Sequence, residues 1–344
     1  MVRSARGKNR GKFQYPLVSI VILNYNGREY VKRCLDSVSK LDYPNFEIIF
    51  VDNASTDGSL ELVRKLFGND SRLKIVCNNK NLGYAEGSNV GANMAKGKFV
   101  IFLNNDIEID PCSLKELVEV MEGDSKIGAA QGKIITLGTD KIDSTGGFID
   151  YNGWSYIRGK GEIDRGQYNK VDEVFFASSP IVRKELFDLI GGFDPSFFFS
   201  SEETDLCWRI RLHGYKVVYV PTSPIYHVGK GTIKKQPSKT ILFHALKNNI
   251  AMLVKNYGSV NVIRHVPKAT LLVIGGTITS ILRRNMNGVI AHFKALAWNL
   301  LNLKYIWTKR VEVQSLIRKV SDKEIEKFIL KKPIFIYSIL KNKF

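Results

Sequence analysis

VSIVILNYNG, residues 18–27, and FEIIFVDNASTDGS, residues 46–59, decide how the chain is read. Each opens with a run rich in β-branched and aromatic residues, the pattern of a parallel strand covered on both faces. Between them, Arg28–Leu41 repeats apolar residues at helical spacing through Tyr30, Val31, Cys34, Leu35 and Val38. Strand, helix and strand in that order predict a parallel pair joined by a right-handed crossover. The alternation continues outward. Ser55 is placed to cap a helix carrying Leu60, Leu62, Val63 and Leu66. Leu73–Cys77 reads as a third strand, Glu86–Lys96 as a third helix and Phe99–Leu103 as a fourth strand. Asp110-Pro111 then starts another helix, with Pro in its first turn.

All four strands run into polar ends of the same kind. These ends read Asn24-Tyr25-Asn26-Gly27, Asp52-Asn53-Ala54-Ser55, Asn78-Asn79-Lys80-Asn81 and Asn104-Asn105-Asp106. Ligands of open α/β sheets bind beyond the carboxyl ends of the strands. Asn and Asp are ordinary turn residues, which accounts for one such loop but not for four in succession. One polar site is the better reading. The first strand–helix turn is not G-x-G-x-x-G, which disfavours a dinucleotide dehydrogenase, and no G-x-x-x-x-G-K-[ST] occurs, which removes a P-loop NTPase.

The motifs VSIVILNYNG, VDNASTDGS, NLGYAEGSNVG and FLNND, with the later block GGFDPSFFFSSEETDLCWRIRLHGYKVVYVPTSPIYHVG, resemble glycosyltransferase family 2. They run in the expected order from Val18 to Gly231, and the match is nearest the rhamnosyltransferase-like branch. The resemblance implies an α/β GT-A fold: a Rossmann-like, mostly parallel sheet with helices on both faces. It also implies a nucleotide-diphosphate sugar donor, a divalent metal (Mn2+ or Mg2+), inversion at the anomeric carbon and a glycan or lipid-linked acceptor. Carried over by position, Asp52 matches the acid that reads the donor base, with Asn24 and Asn53 in the same cleft. Asn81 falls near the donor, with Gly83 and Gly87 letting the backbone approach. Asn104-Asn105-Asp106 matches the D-x-D position, leaving Asp106 as its one carboxylate. His227 matches a histidine that completes the metal site, just after a strand read as Lys216–Val220.

A base is needed to take the acceptor's proton. Aligned on Asp205-Leu206-Cys207, the resemblance puts it on Glu203, with Glu202 as the alternative and Asp205 as structural. Two simpler roles compete. Ser200 and Glu203 have capping-box spacing, and Asp205 and Arg209 are spaced for an i,i+4 ion pair. In the Gly- and aromatic-rich stretch 130–175, Tyr151, Trp154 and Tyr156 are either packing residues or sugar-stacking ones. A second functional class remains open: a glycan- or membrane-binding protein that kept the fold without the chemistry.

Composition sets the outer bounds. The 344 residues are 44% apolar and 24% charged, which excludes a disordered chain. Cys34, Cys77, Cys112 and Cys207 are scattered with no C-x-x-C pair, so buried reduced thiols in a cytosolic setting are expected. The net charge is +18, and the segment from Lys230 onward holds 22 basic and 4 acidic residues, 22 − 4 = +18. The body is therefore neutral and the last third strongly basic. No nucleic-acid motif accompanies that charge. The organisation expected is a basic tail (1–15), a GT-A domain (16–236) and a basic helical region (237–344). The longest apolar run, Thr270–Leu282, has 13 residues, short of a membrane span. The start, although basic, lacks a cleavage site and is not read as a signal. Two apolar helix faces, Leu242, Leu246, Ile250, Leu253 and Tyr257, then Phe293, Leu296, Ala297, Leu300 and Trp307, suggest peripheral attachment to an anionic membrane. The inner face of the cell membrane is the place implied.

Overall fold

The computed structural model describes residues 14–228 and 237–332, and its first half repeats one unit. β1 (Val18–Asn24) leads into α1 (Val31–Ser39), and β2 (Phe46–Asp52) into α2 (Ser59–Phe67). β3 (Leu73–Cys77) leads into α3 (Gly83–Met94), and β4 (Phe99–Asn104) passes through β5 (Ile107–Ile109) into α4 (Ser113–Gly123). Val18, Ile20 and Ile22 share one buried layer with Val31, Leu35 and Val38 of α1. Val21 belongs to the other layer, with Ala85 and Ala92 of α3. This period-two split is what a strand covered on both faces requires. Each such side chain contributes roughly 1.5–3 kcal/mol on full burial, so the register of β1 is strongly determined. Gly91 lets α3 close on the sheet, since a Cβ there would lie 2.5 Å from Val21.

The four strands run parallel in the order β4-β1-β2-β3. Their ends are level: Asn24 lies opposite Asp52, and Leu23 opposite Asn104. The chain continues through β6 (Ile127–Thr136), β7 (Ile142–Ser144), β8 (Gly147–Asp150), β9 (Ser155–Ile157), β10 (Asp172–Glu173) and β11 (Ile181–Arg183). After them come α5 (Lys184–Leu189), α6 (Glu202–Leu212) and β12 (Lys216–His227). β11 is antiparallel to both β4 and β6, while β6 and β12 are parallel to each other.

Several boundaries differ from those expected of the sequence. α3 begins at Gly83 rather than Glu86, and α4 at Ser113 rather than Pro111. Gly58, at φ 77°, precedes α2 in place of a Ser55 cap, because Ser55 turns back to the strand ends and accepts from Asn24 and the Asn26 N–H. β12 passes a register shift between Val220 and Pro224 and resumes pairing, so His227 is its last residue and not a loop residue. Two thiols, Cys77 and Cys112, are exposed rather than buried.

The basic C-terminal region is built into the molecule. α7 (Ser238–Asn256), α8 (Ser259–Leu282), α9 (Met286–Leu301) and α10 (Leu303–Glu312) form a helical layer. A π-helical turn (Val313–Ile317), α11 (Asp322–Glu326) and β13 (Ile329–Leu330) complete it. β13 pairs in parallel with β8, so the chain returns to a sheet of the α/β domain. Lys255 of α7 reaches Asp194 at 2.6 Å and Asp205 at 2.9 Å, all three buried. Leu246, Ile250, Leu253 and Tyr257, one of the two faces assigned to a membrane, are buried in the protein. α8 also corrects the 13-residue count. It has 24 residues and is long and apolar enough, by length and composition only, to cross a membrane. Counting uninterrupted runs missed this because Lys268 ends the run, whereas the helix extends back to Ser259. Most of the tail 1–15, and residues 333–344, lie outside the described residues.

Candidate active site

A cavity of about 470 Å³ opens where β1, β2 and β4 end. Asn53, Asn81, Gly83, Asn104, Asn105, Asp106, Glu202, Glu203 and His227 all line it. Parallel strands with level ends bring these loops to one edge. Asn24 and Asp52 are buried behind the lining. Asn24 donates to Asp52 at 2.8 Å and accepts from Asn105 at 2.6 Å, and Asp52 accepts from the Ser55 N–H at 2.9 Å. This pair ties the strand ends together and orients Asn105. Asn53 donates to the Gly83 carbonyl at 2.9 Å and accepts from Asn78 at 2.8 Å, while Asn81 accepts from the Gly83 N–H at 2.8 Å.

The side-chain positions of these glycines face the protein's own chain. At Gly83, φ 78°, a Cβ would lie 2.4 Å from the Phe198 carbonyl oxygen. That oxygen accepts from the N–H groups of Tyr84 and Ala85. Gly87 faces Leu23 and Asn53.

One corner is acidic and basic at once. His227 Nε2 lies 3.4 Å from Asp106 Oδ2, and its Nδ1 lies 2.9 Å from Asp143 Oδ2. Burial pulls His227 down, but hydrogen bonds to Asp106 and Asp143 outweigh it and raise the group to about 9. Burial likewise pushes Asp143 up, and His227 and Lys160 override it to hold the carboxyl near 2. A proton between Asp106 and His227 occupies a place that a cation suits. Among the described residues, no group of three His, Cys, Asp or Glu side chains is arranged to hold a metal. Asp106 and His227 are the two side chains here that could face a divalent ion, which would need ligand oxygens and water at its remaining positions.

The other corner carries two carboxyls at the start of α6. Phe198, Ser200 and Ser201 precede it at φ 61°, 74° and 67°, left-handed values that side chains seldom adopt. The capping box does not form: Ser201 is the N-cap and makes no side-chain cap bond. Glu203 instead accepts from the Ser179 N–H at 2.7 Å and from the Tyr84 hydroxyl at 3.3 Å. One oxygen of Glu202 is buried without a hydrogen-bond partner. Burial raises Glu203 to about 7, and burial together with the Glu203 charge raises Glu202 to about 8. Carboxyls poised near neutrality can accept a proton from a hydroxyl. Asp205 is fully buried and bound to Arg209 and Lys255.

Sequence reasoning missed the groups that hold these carboxyls. Asn248 of α7 reaches the carbonyls of Phe197, Phe199 and Ser200 at 3.0, 2.9 and 2.6 Å. Tyr84 lies within the NLGYAEGSNVG motif, but its partner is 119 residues away. Nothing in the sequence marks Ser179, Asp143 or Asn248. Tyr151 stacks on His265 and Trp154 packs beside the Leu246 cluster. Neither lines the cavity, nor does Tyr156, whereas Ser155 and Ile157 do.

Residues 19–188 match the family model described as "Glycosyl transferase family 2". An uncharacterised glycosyltransferase of Haemophilus influenzae is 27% identical over 277 residues, 74% of this chain and 82% of its own. An uncharacterised protein of Sinorhizobium fredii is 27% identical over 223 residues, 62% of this chain, and the matched part is only 24% of that longer protein. Among solved structures, GalNAc-T7 with UDP, GalNAc and Mn2+ superposes at a TM-score of 0.60 and 17% identity. That match covers 96% of this chain and 58% of GalNAc-T7. A mannosyltransferase of Pyrobaculum calidifontis with GDP-Man and Mn2+ gives a TM-score of 0.51 at 16% identity, over 88% of this chain and 86% of its own. The fold is GT-A. Segment 19–188, which carries the four polar strand ends, is thus similar to glycosyl transferase family 2.

Proposed function

We propose that this chain is an inverting glycosyltransferase. It moves a sugar from a nucleotide-diphosphate donor to a hydroxyl of a glycan or lipid-linked acceptor. The observation that carries this reading is one cavity lined by both the Asp106–His227 corner and the Glu202–Glu203 pair. The ligands of GalNAc-T7 and the mannosyltransferase support a nucleoside diphosphate sugar and a divalent ion, Mn2+ in both. The motif resemblance supports a deoxyhexose such as rhamnose.

Asp106 and His227 would hold the metal, which when bound offsets the charge of a diphosphate leaving group. Asn53, Asn81, Asn104 and Asn105 offer amides and carbonyls for the donor, while Asn24 and Asp52 act from behind by fixing Asn105. Glu203, aimed by the Ser179 N–H and the Tyr84 hydroxyl, takes the proton of the acceptor hydroxyl as its oxygen attacks the anomeric carbon. Glu202 is the second choice of base. A thermal-shift panel of nucleotide sugars with and without Mn2+, together with an assay of nucleotide release, tests the reading. A correct donor raises the melting temperature by mass action. No metal-dependent shift from any nucleotide sugar, together with no release, sinks it.

A further inference from the structure

The exposed apolar surface of this molecule is concentrated in one place. Of the 22 exposed large hydrophobic residues among those described, 16 fall between Val260 and Leu316. On α8 they recur at helical spacing on the outward side, at Ile263, Leu271, Ile274, Ile278 and Leu282, from 41% to 79% exposed. α9 continues the stripe with Met286, Ile290, Phe293 and Leu300, and α10 with Leu303, Trp307 and Val311. A helix of a water-soluble domain normally shows the reverse pattern, polar outward. The inward side of α8 carries polar anchors beside the apolar Ala269 and Val273. Asn261 donates to Asp322 and Glu326 at 2.9 Å, and His265 stacks between Tyr151 and Tyr257.

Charge selects what covers this face. Residues 259–311 contain no Asp or Glu and eight basic residues. Arg264, Lys268, Arg283, Arg284, Lys294 and Lys304 are exposed among the apolar side chains. Two copies of this chain meeting face to face would set these cations against one another. An anionic bilayer complements both properties, taking apolar side chains into its interface and cations onto its phosphates. α8 is long enough to cross a membrane, but crossing would strip Asn261 and His265 of the contacts that hold it to the domain. The surface fits a bilayer on which the helices lie flat.

The face also sits at the right end of the molecule. α8 turns back on α7 at Tyr257-Gly258, and Val273 shares an apolar cluster with Leu246 and Ile250. Nine further residues, roughly 13 Å of helix, bring Leu282 level with the start of α7. Ile241 in that first turn lines the cavity.

We propose that the outward face of α8, α9 and α10 docks this chain onto an anionic lipid bilayer, with the α8–α9 turn at the cavity's end. Docking and transfer are separable, since vesicle binding tests the first whether or not any sugar moves.

The test uses the full chain, sedimented with vesicles of phosphatidylcholine alone or with roughly one third phosphatidylglycerol, at low and high salt. The parent should bind the anionic vesicles, and binding should weaken at high salt. Phe293→Glu combined with Leu300→Glu should lower partitioning roughly tenfold or more, with an unchanged melting curve. Both side chains are solvent-facing, so the fold does not depend on them. Equal binding by parent and variant would overturn the proposal, as would equal binding to neutral vesicles. Self-association abolished by the same substitutions, without vesicle binding, would assign the face to a second copy instead.

Discussion

Glu203 is held by two donors, and its neighbour Glu202 keeps an unpartnered oxygen. With ionised Glu203 as the proposed base, raised by burial to about 7, kcat/KM should climb with pH to a plateau above that value. Glu203→Gln keeps the acceptor oxygen but cannot take the proton. It should lower transfer by roughly a hundredfold or more and flatten the profile, with donor affinity retained. If Glu202→Gln produces that loss instead, the base is one residue earlier.

Stability should move the other way. Folding raises Glu202 from 4.5 to about 8, so the folded chain binds this proton more tightly than the unfolded chain. That contribution is complete below about pH 4.5 and is lost as pH rises through 8. Glu202→Gln never ionises, so at about pH 9 it should melt roughly 2 °C or more above the parent, a gap that closes near pH 5. Differential scanning calorimetry at the two pH values reads the difference. Asp106→Ala removes the only carboxylate of the Asn104-Asn105-Asp106 turn. Donor binding measured by calorimetry should then lose its dependence on Mn2+, with the melting curve preserved.

At the scale of elements, the start of α6 depends on the loop before it. Left-handed backbone at three non-glycine residues costs about 1–3 kcal/mol each and persists only where the surroundings over-determine it. α7 supplies that constraint. Asn248 holds three carbonyls of the loop, Lys247 donates to the Ser196 carbonyl, and His244 stacks on Phe198 at 5.4 Å. Asn248→Ala should lower kcat by roughly tenfold or more through a misplaced Glu203, an error of about 1 Å sufficing for such a loss. Donor KM should change little, because the strand-end loops are untouched. A fall confined to donor KM would mean that the loop positions the donor and not the base.

For the whole molecule, the helical layer is joined to the α/β part by buried ion pairs and a strand pairing. Asp194 is pushed up by burial, but Lys255 overrides this and holds it well below the usual carboxylate range. A chain cut after Pro237 would lose that cation together with the helices that cover Asp194, Asp205 and Trp208. Breaking a buried pair costs about 3–5 kcal/mol, much of a domain's stability. The shortened chain should therefore be insoluble or give no cooperative melt, whereas the full chain melts in a single transition. Part of the basic excess of the last third is thus structural: Lys247, Lys255 and Arg310 are buried in contacts with carbonyls or carboxylates.

Much of this was legible in the sequence because parallel β–α units send every strand's carboxyl end to the same edge. Runs such as Val18–Leu23 specify the strands, and the residue after each run necessarily joins the same rim, so Asn53, Asn105 and Asp106 could be placed without any long-range information. The order of turns along the chain is enough to assemble that wall. Tertiary structure alone decided the rest. Whether Ser200 caps α6 or Tyr84 and Ser179 hold Glu203 depends on groups up to 119 residues away. The helices make the point most directly. Helical periodicity shows that α7 and α8 have apolar faces, but direction is defined only about each helix's own axis. Packing turned Leu246 and Leu253 inward, and left Ile263 and Leu271 in solvent. Burial and carboxyl protonation depend on what approaches through space, which no pattern along the chain contains.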